Sequence, residues 1–496
     1  MTLALPPRKS LEPYIPDELT YYPHQIEGIR RMIKMRSVLL ADDMGLGKSL
    51  QAITLFAADV IRGYSSKCLI VCPASLKTNW ENEILKFTRG IKVMVIRTDT
   101  TGKALTKEAK RKNLQDFAAA DGPRVLITNY EQLVGMSKDY CDISWDMVIF
   151  DEAHMIKNHR AKRTQAALKL STRRSILLTG SPILNHVNDL WSLLKRIAPN
   201  EIENYYAFLQ RYATYGGYMD KQITGIKNEA ELRARLQDVM VRRLKEDVLD
   251  LPEVTYTTRT VDLINSQIKI YKEVVSNMQL TSDDGQVEEI QNHLTKFLRL
   301  KQVCGTTAAF SNKDDSGKLD MAEWDAEDIC SGGERLVAFT QFRDVQQAYI
   351  DRLTNRRSFK YPIYVLNGDV DIDERQSVVD AWANDKTPGI IICMYQVAGV
   401  GLNMTAGRYG QRIDKLWNPS LNKQAVDRLH RIGADKTKPV TIIDYLARDT
   451  VEERVEKILD NKTKISNKLI ELDSELDSLT QAAIKQALRE EKNKYV

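Results

Sequence analysis

Short runs of mostly apolar residues, separated by polar and helical stretches, constrain the fold of this chain more than any other feature of its sequence. In the first part of the chain the runs are Ser37–Leu40, Cys68–Cys72, Val93–Ile96, Val125–Thr128, Met147–Phe150 and Ser175–Leu178. A strand without polar alternation is buried on both faces, as in a parallel sheet covered by helices. This part of the chain is therefore predicted to form an α/β unit around a parallel sheet.

The same rhythm returns later in the chain, after an interruption. From about Asn200 to Leu300 long helical patterns dominate and strand signals are few. Strand-like runs then recur at Arg335–Phe339, Ile363–Leu366, Gly389–Cys393, Lys415–Trp417 and Val440–Ile443. The pattern predicts two α/β lobes at 21–198 and 311–455, a tail at 1–20, helical insertions and a linker at 199–310, and a C-terminal helix at 456–496.

Composition bounds the class of protein without deciding its function. The 496 residues are 43% hydrophobic and 28% charged, as in ordinary globular proteins, and the net charge of +5 permits a polyanionic partner. The six cysteines form no C-x-x-C pair, so reduced thiols and no zinc site are expected. The sequence has no signal-peptide pattern and no apolar run of about 18 residues, so we expect a cytoplasmic protein without a membrane span.

The stretch LLADDMGLGKSLQAI carries the first candidate site. Gly45 and Gly47 allow a tight turn between a strand and a helix whose N-terminus attracts anions. In the pattern G-x-x-x-x-G-K-[ST], Lys48 would bind phosphates and Ser49 would bind Mg²⁺. The match is incomplete because Asp42 stands where the first glycine is usual, and a plain strand-to-helix turn remains the alternative.

A pair of carboxylates supplies the second half of a phosphate site. In MVIFDEAH, Asp151 and Glu152 follow four apolar residues and so emerge at the carboxyl end of a strand, where α/β proteins bind ligands. There Asp151 would hold Mg²⁺, and Glu152 would orient and deprotonate the attacking water. The alternative is a helix start with Asp151 as its N-cap residue.

Longer stretches accompany these two motifs along the chain: LLTGSPILNHVNDLWSLL, VMVRRLKEDVLDLP, LRLKQVC, NGDVDIDERQSVVDAW, QVAGVGLNMTAG and WNPSLNKQAVDRLHRIG. Together with DDMGLGKS they resemble the Swi/Snf family of ATP-dependent DNA translocases in helicase superfamily two. The resemblance covers nearly the whole chain, from Tyr21 to Arg454. It implies two RecA-like lobes, ATP and Mg²⁺ as cofactors, DNA-stimulated ATP hydrolysis, and a double-stranded DNA partner that is intact, forked or branched.

The resemblance assigns roles residue by residue. Gln25 in YPHQIEG resembles the adenine-reading glutamine of the family, and Gly399 and Gly401 resemble the loop of lobe two that faces nucleotide and DNA. Arg428 and Arg431 match two motif arginines, of which Arg431 is the better candidate for an arginine finger. The predicted nucleotide loop is Asp43, Met44, Gly45, Leu46, Gly47, Lys48 and Ser49, and the predicted catalytic residues are Lys48, Asp151, Glu152, Arg428 and Arg431.

In the family, short segments that follow the strands line a DNA groove. By that resemblance Lys77, Asn129, Tyr130 and Gln341 are predicted to contact the DNA backbone. The basic run KNHRAKR at 157–163 is either a further DNA contact or an ordinary solvated surface.

Two positions depart from the family pattern. Ala434 stands where glutamine is usual after HRIG, and Lys415-Leu416 precede Trp417 in place of an acidic residue. These departures bear on the coupling between lobes and not on the class. The alternatives are a helicase of the same superfamily that separates RNA or DNA strands, and a non-catalytic DNA-binding scaffold. The short insertions favour a bare, monomeric motor such as a bacterium or a phage encodes.

An apolar stripe with heptad-like spacing lies near the end of the sequence, at Ile465, Leu469, Leu472, Leu476, Leu479 and Ala483. Fewer than three heptads are marginal for an isolated coiled coil. We therefore favour a helix that packs on the protein's own lobes over a coiled coil with a second copy or the binding of a partner.

Overall fold

Two parallel sheets form the framework of the protein, one in each of two compact units of the computed structural model. Unit 1 spans Met1–Leu249 and unit 2 spans Asp250–Val496. The residues that the structure describes are 14–96, 105–180, 187–216, 222–276, 279–281, 287–289, 293–311, 313–371, 374–398, 402–416, 419–431, 433–435, 437–454, 456 and 486–491.

The strands of unit 1 are β1 (Val38–Leu40), β2 (Lys67–Cys72), β3 (Lys92–Val95), β4 (Arg124–Asn129), β5 (Trp145–Phe150), β6 (Thr172–Leu178), β7 (Ala213–Gly216), β8 (Gln222–Ile226) and β9 (Met240–Val241). β7 and β8 form an antiparallel hairpin, and the others form a seven-stranded parallel sheet in the order β3-β4-β2-β5-β6-β1-β9. Neighbouring residues of a strand point to opposite faces. Leu69 and Ile70 are 0% and 1% exposed, so both faces of this sheet are covered.

Helices connect and cover these strands. They are α1 (Pro23–Lys34), α2 (Lys48–Ile61), α3 (Lys77–Phe87), α4 (Lys107–Ala119), α5 (Tyr130–Gly135), α6 (Ser137–Cys141), α7 (Lys162–Lys169), α8 (Val187–Ile197), α9 (Tyr205–Tyr212), α10 (Glu229–Val239) and α11 (Lys245–Val248). Short 3₁₀ turns at Ala74–Leu76 and Ala153–Ile156 follow β2 and β5.

Unit 2 repeats the design. Its strands are β10 (Val254–Val261), β11 (Gln279–Thr281), β12 (Val287–Glu289), β13 (Leu336–Thr340), β14 (Ile363–Leu366), β15 (Ile390–Met394), β16 (Tyr409–Arg412) and β17 (Val440–Ala447). Its helices are α12 (Asn265–Ser276), α13 (His293–Gly305), α14 (Gly317–Ser331), α15 (Arg343–Asn355), α16 (Arg375–Asn384), α17 (Tyr395–Ala398) and α18 (Pro419–Leu429). The parallel sheet has the order β10-β17-β16-β13-β15-β14, and β11 and β12 form an antiparallel pair.

The predicted α/β fold with two parallel-sheet lobes is confirmed by these two sheets. One predicted strand, Lys415–Trp417, is wrong at its described residues Lys415 and Leu416, because the strand in this region is β16 at Tyr409–Arg412; Trp417 lies outside the described residues. Polar partners explain the error. Gln411 donates to the carbonyl of Ala322 (2.9 Å), and Arg412 binds both oxygens of Asp444, so a strand with a polar sequence is buried without an apolar run.

Strands also occur where the sequence pattern predicts mainly helices. β9 and β10 lie between Asn200 and Leu300, and each joins the edge of a main sheet. β9 has only two residues, and β10 is mostly exposed and rich in threonine, so neither contains an apolar run. The finer division into 21–198, 199–310 and 311–455 remains a prediction.

The predicted apolar stripe at 465–483 lies outside the described residues. Residues 486–491 are helical, and Ala487 and Leu488 are buried in a cluster with side chains of α12 and α13. Within the described part of the chain, no helix is both long and apolar enough to cross a bilayer. All six cysteines are free thiols.

Candidate nucleotide-binding site

The two predicted halves of the phosphate site lie at one edge of the unit 1 sheet. Parallel strands end at the same edge, and β5, β6 and β1 are neighbours in that order. Asp151 follows β5, and the glycine loop follows β1. Gly180, just after β6, lies against the loop, because a Cβ atom built on it would be 2.3 Å from Met44 Cγ and 3.3 Å from Lys48 Nζ.

The glycine loop has the backbone that its sequence predicts. Gly45 and Gly47 have φ of 84° and 74°, in the left-handed region that favours glycine. α2 begins directly afterwards, at Lys48, with Gly47 as its N-cap. Ser49 is therefore the second residue of the helix, and the free N–H groups of the first turn provide an anion-binding site.

Lys48 is folded back onto its own loop. Its Nζ donates to the carbonyls of Asp42 (2.8 Å) and Asp43 (3.2 Å). Burial lowers the pKa of Lys48, while the carboxylates of Glu152, Asp42, Asp151 and Asp43 oppose that shift. The amine of Lys48 therefore lies in the loop where a phosphate is expected, with four carboxylates around it that favour its protonated form.

Gln25 is tied to the loop by its side chain. Its Nε2 donates to the carbonyl of Leu46 (3.3 Å), and its Oε1 accepts from the backbone N–H of Tyr22 (3.0 Å). His24 Nε2 lies 3.1 Å from the same carbonyl, and burial lowers the pKa of His24. A Cβ atom on Gly47 would lie 2.3 Å from Gln25 Nε2, so this close approach requires glycine.

Asp42, the departure from the usual loop pattern, holds the loop to strand β9. Arg243, two residues after β9, donates through Nε and Nη2 to the two oxygens of Asp42, which is 0% exposed. Arg243 also donates to Gln51 Oε1 (2.8 Å) and to the carbonyl of His24. Its own carbonyl accepts from the backbone N–H of Asp43 (3.0 Å). The sequence analysis did not identify Arg243, which lies 201 positions from Asp42.

The Asp151–Glu152 pair has a strained backbone and a carboxylate that accepts a hydrogen bond at each oxygen. Glu152 has φ 48°, a conformation that non-glycine residues adopt mostly at functional sites. Asp151 accepts from Trp80 Nε1 (2.8 Å) and from the backbone N–H of Glu152 (2.9 Å), and its carbonyl accepts from Tyr130 OH (2.6 Å). Burial and the neighbouring Glu152 carboxylate raise the pKa of Asp151 to about 7. Glu152 Oε2 lies 3.2 Å from His154 Nδ1.

No three His, Cys, Asp or Glu side chains come together as a metal-binding group among the described residues. Mg²⁺ in nucleotide sites is usually bound by one or two carboxylates together with phosphate oxygens and water. The half-buried Asp151 follows β5 at the sheet edge where the glycine loop leads into α2, and this position fits that mode of binding.

The predicted DNA contacts of unit 1 lie at the ends of β2 and β4. Lys77 begins α3, and its Nζ donates to the carbonyl of Ile96 (2.9 Å). Asn129 caps α5 by accepting from the backbone N–H of Gln132 (3.0 Å). Tyr130 is 1% exposed, and its hydroxyl bonds to the carbonyl of Asp151.

Gln341 follows β13 in unit 2. Its backbone N–H donates to Asp414 Oδ1 (3.1 Å), and Asp414 also accepts from the hydroxyl of Thr340. The carbonyl of Asp414 accepts from Tyr395 OH (2.9 Å). Gln341 Nε2 has no hydrogen-bond partner among the described residues. The turn after β13 is therefore fixed, and one amide donor is left over.

The two predicted arginines lie at the end of α18 in unit 2. Arg428 is 5% exposed, and its carbonyl accepts from the backbone N–H of Met404 (3.1 Å). Arg431 follows the helix and is half-buried. Gly399 and Gly401 lie outside the described residues.

Two sequence families match this chain. The SNF2-related domain matches residues 24–309, and the helicase conserved C-terminal domain matches residues 325–433. The first match alone spans more than half of the chain. The chain belongs to the SNF2-related family. This result confirms the family that the motifs predict.

Relatives of the family give the same picture. The chain is 27% identical over 479 residues to the putative ATP-dependent helicase/translocase YwqA of Bacillus subtilis, covering 93% of this chain and 50% of that protein. It is 26% identical over 481 residues to the ATP-dependent DNA helicase DDM1 of Arabidopsis thaliana, covering 90% and 61%. Other relatives are longer still, and this chain spans between 15% and 50% of the length of four of the curated relatives that it matches.

A solved structure is also similar to this member of the SNF2-related family. The Sulfolobus solfataricus SWI2/SNF2 ATPase core in complex with dsDNA is 26% identical, with a TM-score of 0.42, and the alignment covers 96% of this chain and 97% of that one.

Proposed function

We propose that this protein is an ATP-dependent translocase on double-stranded DNA that displaces or remodels protein–DNA complexes or branched DNA. The observation that carries the proposal is the joint occurrence of a glycine loop and an Asp-Glu pair at one sheet edge, in a chain that matches both SNF2-related and helicase C-terminal domains. In such motors ATP hydrolysis supplies the energy for movement, and binding to DNA phosphates needs no particular sequence.

The residues of the nucleotide site come from the glycine loop and the start of α2, from the end of β5 and from α1. Lys48 binds the phosphates and Gln25 reads the adenine, while Ser49 and Asp151 hold Mg²⁺, which neutralises charge on the phosphates when it is bound. Glu152 orients and deprotonates the attacking water. The left-handed backbone of Glu152 supports this role, because strain of this kind is concentrated at functional residues.

Unit 2 supplies arginines to the reaction. Arg431 is the arginine finger that stabilises charge on the transferred phosphoryl group, and Arg428 supports it. Gly399 and Gly401 belong to a loop that faces nucleotide and DNA. This division makes hydrolysis depend on both lobes, so it links chemistry to movement.

DNA is held through its phosphates by segments that follow the strands. Lys77 and the N-terminus of α3 contact the backbone in lobe one, with Asn129 at the end of β4. Gln341 contacts it in lobe two, in the turn after β13 that Asp414 holds in place. The DNA contact that the sequence predicts for Tyr130 remains a proposal; its side chain is buried, and its hydroxyl donates to the carbonyl of Asp151.

The proposal includes the oligomeric state and the location of the protein. It acts as a monomer in a cytoplasm where DNA is accessible, that of a bacterium or of the host of a phage. Sedimentation with and without duplex DNA tests the monomer.

An ATPase assay with intact duplex DNA, forked duplex DNA, single-stranded DNA and RNA tests the proposed function. We expect intact or forked duplex DNA to raise turnover most, and the apparent DNA affinity to fall as salt rises, because counterions are released from phosphates. Stimulation by RNA alone would favour an RNA helicase, and displacement of a labelled strand would favour a strand-separating helicase. A protein that binds DNA without any ATP hydrolysis would be a scaffold.

A further inference from the structure

The carboxylate of Asp151 accepts a hydrogen bond from α3, the helix that begins at the predicted DNA contact Lys77. Trp80 Nε1 donates to Asp151 Oδ2 at 2.8 Å, and the backbone N–H of Glu152 donates to Oδ1 at 2.9 Å. Trp80 lies in the first turn of α3, the helix that begins at Lys77. The indole N–H is a donor only, so its bond to the Asp151 carboxyl group restrains both side chains.

The acceptor of Trp80 differs from those of the other buried tryptophans in the described part of the chain. Trp145 donates to the carbonyl of Tyr140, Trp191 to that of Glu203, and Trp382 to that of Gly389. Backbone carbonyls are thus the usual acceptors for buried indoles in this protein. Burial alone does not explain why Trp80 uses the carboxylate of a candidate magnesium ligand.

A second segment reaches the same residue. Tyr130, the first residue of α5 after β4, donates to the carbonyl of Asp151 at 2.6 Å. β4 and β5 flank β2 in the sheet, so α3 and α5 start at strand ends next to Asp151. Both oxygens of the Asp151 side chain and its carbonyl therefore accept hydrogen bonds. Two of these three bonds come from the segments after β2 and β4.

We infer that Trp80 and Tyr130 are positioning residues that make the orientation of the Asp151 carboxylate depend on DNA bound by α3 and the end of β4. A phosphate that shifts or fixes the start of α3 also fixes the indole N–H, and through it the carboxylate. The inference deepens the proposed function, and its coupling half rests on that proposal. Its structural half, the hold on Asp151, rests on the observed bonds alone.

Trp80→Phe is the main test, because it removes the N–H and keeps most of the packing. Trp145→Phe is the matched control, since Trp145 is equally buried in the same unit and loses a bond to a backbone carbonyl. A fluorescent ATP analogue is titrated with Mg²⁺ in both variants. We expect Trp80→Phe to need about tenfold more Mg²⁺ for half-maximal binding, which corresponds to a hydrogen bond to a charged group. Trp145→Phe should resemble the wild type.

Coupling is measured by binding as well as by turnover. If DNA tightens nucleotide binding by some factor, the nucleotide must tighten DNA binding by the same factor. We expect this factor to fall towards one in Trp80→Phe, with DNA affinity in the absence of nucleotide unchanged. Tyr130→Phe, which removes only a hydroxyl, should also lower this coupling factor. This second variant tests the inference if Trp80→Phe does not fold.

Two results would overturn the inference. One is a Trp80→Phe protein that matches Trp145→Phe in both Mg²⁺ dependence and coupling. The other is a loss of coupling that is equal in the two variants, since that follows from lost stability alone. If the wild type itself shows no coupling to DNA, the proposed function fails, and the Mg²⁺ titration still decides whether Trp80 positions Asp151.

Discussion

At the scale of single residues, Lys48 and Glu152 have separable roles that substitution can distinguish. Lys48→Ala removes a cation from the loop and should weaken nucleotide binding by about tenfold or more. Glu152→Gln keeps the shape and the loop, so binding should persist while turnover falls by about a hundredfold or more. Nucleotide titration and steady-state hydrolysis on the same samples measure both effects. Wild-type turnover in Glu152→Gln would remove the proposed role of this carboxylate.

Arg431 provides the second test at this scale. Arg431→Ala should leave ATP and DNA binding nearly intact and lower the single-turnover rate by about a thousandfold, because a finger stabilises charge that develops only in the transition state. Arg448→Ala is the control, since Arg448 is half-exposed in unit 2 and paired with Asp262. If nucleotide affinity collapses while the single-turnover rate stays the same, Arg431 is a ground-state contact.

The sequence could predict the residues of the site whose chemistry is local. Gly45, Gly47 and Lys48 follow a fixed spacing, and the positive φ of both glycines agrees with it. The sequence could not predict what Asp42 or Trp80 does, because their partners are distant in the chain. Spacing along a chain carries no information about a bond across 201 or 71 positions.

At the scale of elements, the short strand β9 anchors the phosphate loop. Its two residues pair with β1, and the Arg243 that follows binds the buried Asp42. Arg243→Ala would remove the cation paired with the buried Asp42 carboxylate and should lower the free energy of unfolding by about 3 kcal/mol. Denaturant unfolding measures this loss. Asp42→Asn combined with Arg243→Gln should restore part of it, because no charge is then left buried.

A control substitution in the same unit separates the loss of the buried ion pair from a general loss of positive charge. Arg233→Ala in α10 breaks an exposed pair with Glu229 and should leave stability almost unchanged. Equal stability of Arg243→Ala and Arg233→Ala would show that the bond to Asp42 contributes nothing. Nucleotide affinity, measured in parallel, should fall only in Arg243→Ala.

Elements differ in how well their sequence predicts them. Strands of the sheet interior, such as β2 and β5, are continuous apolar runs and are predicted within a few residues. β16 is an interior strand as well. Its residues Gln411 and Arg412 are buried with polar partners, so the sequence contains no apolar run that predicts this strand. Edge strands β9 and β10 are too short or too polar to be recognised before the sheet exists.

At the scale of the whole molecule, the C-terminal segment either packs on the protein's own lobes as a brace or forms an interface with a second copy. Residues 486–491 pack into unit 2, where Ala487 and Leu488 join a cluster with Val274 and Leu300. Arg454 lies 3.1 Å from Glu491, which is 0% exposed. These contacts favour packing on the protein's own lobe over a coiled coil between copies.

Deleting 462–496 tests that choice, because it removes both the predicted stripe and the packed end. Loss of the buried Ala487 and Leu488 should lower the stability of unit 2, and the coupling of DNA binding to ATP turnover should change while the protein stays monomeric. Leu488→Ala separates the two effects, since it weakens the packed end and keeps the stripe. Sedimentation over a range of concentrations is the deciding measurement. A full-length dimer that becomes a monomer on deletion, but not in Leu488→Ala, would mean that the stripe joins two copies and that the brace is wrong.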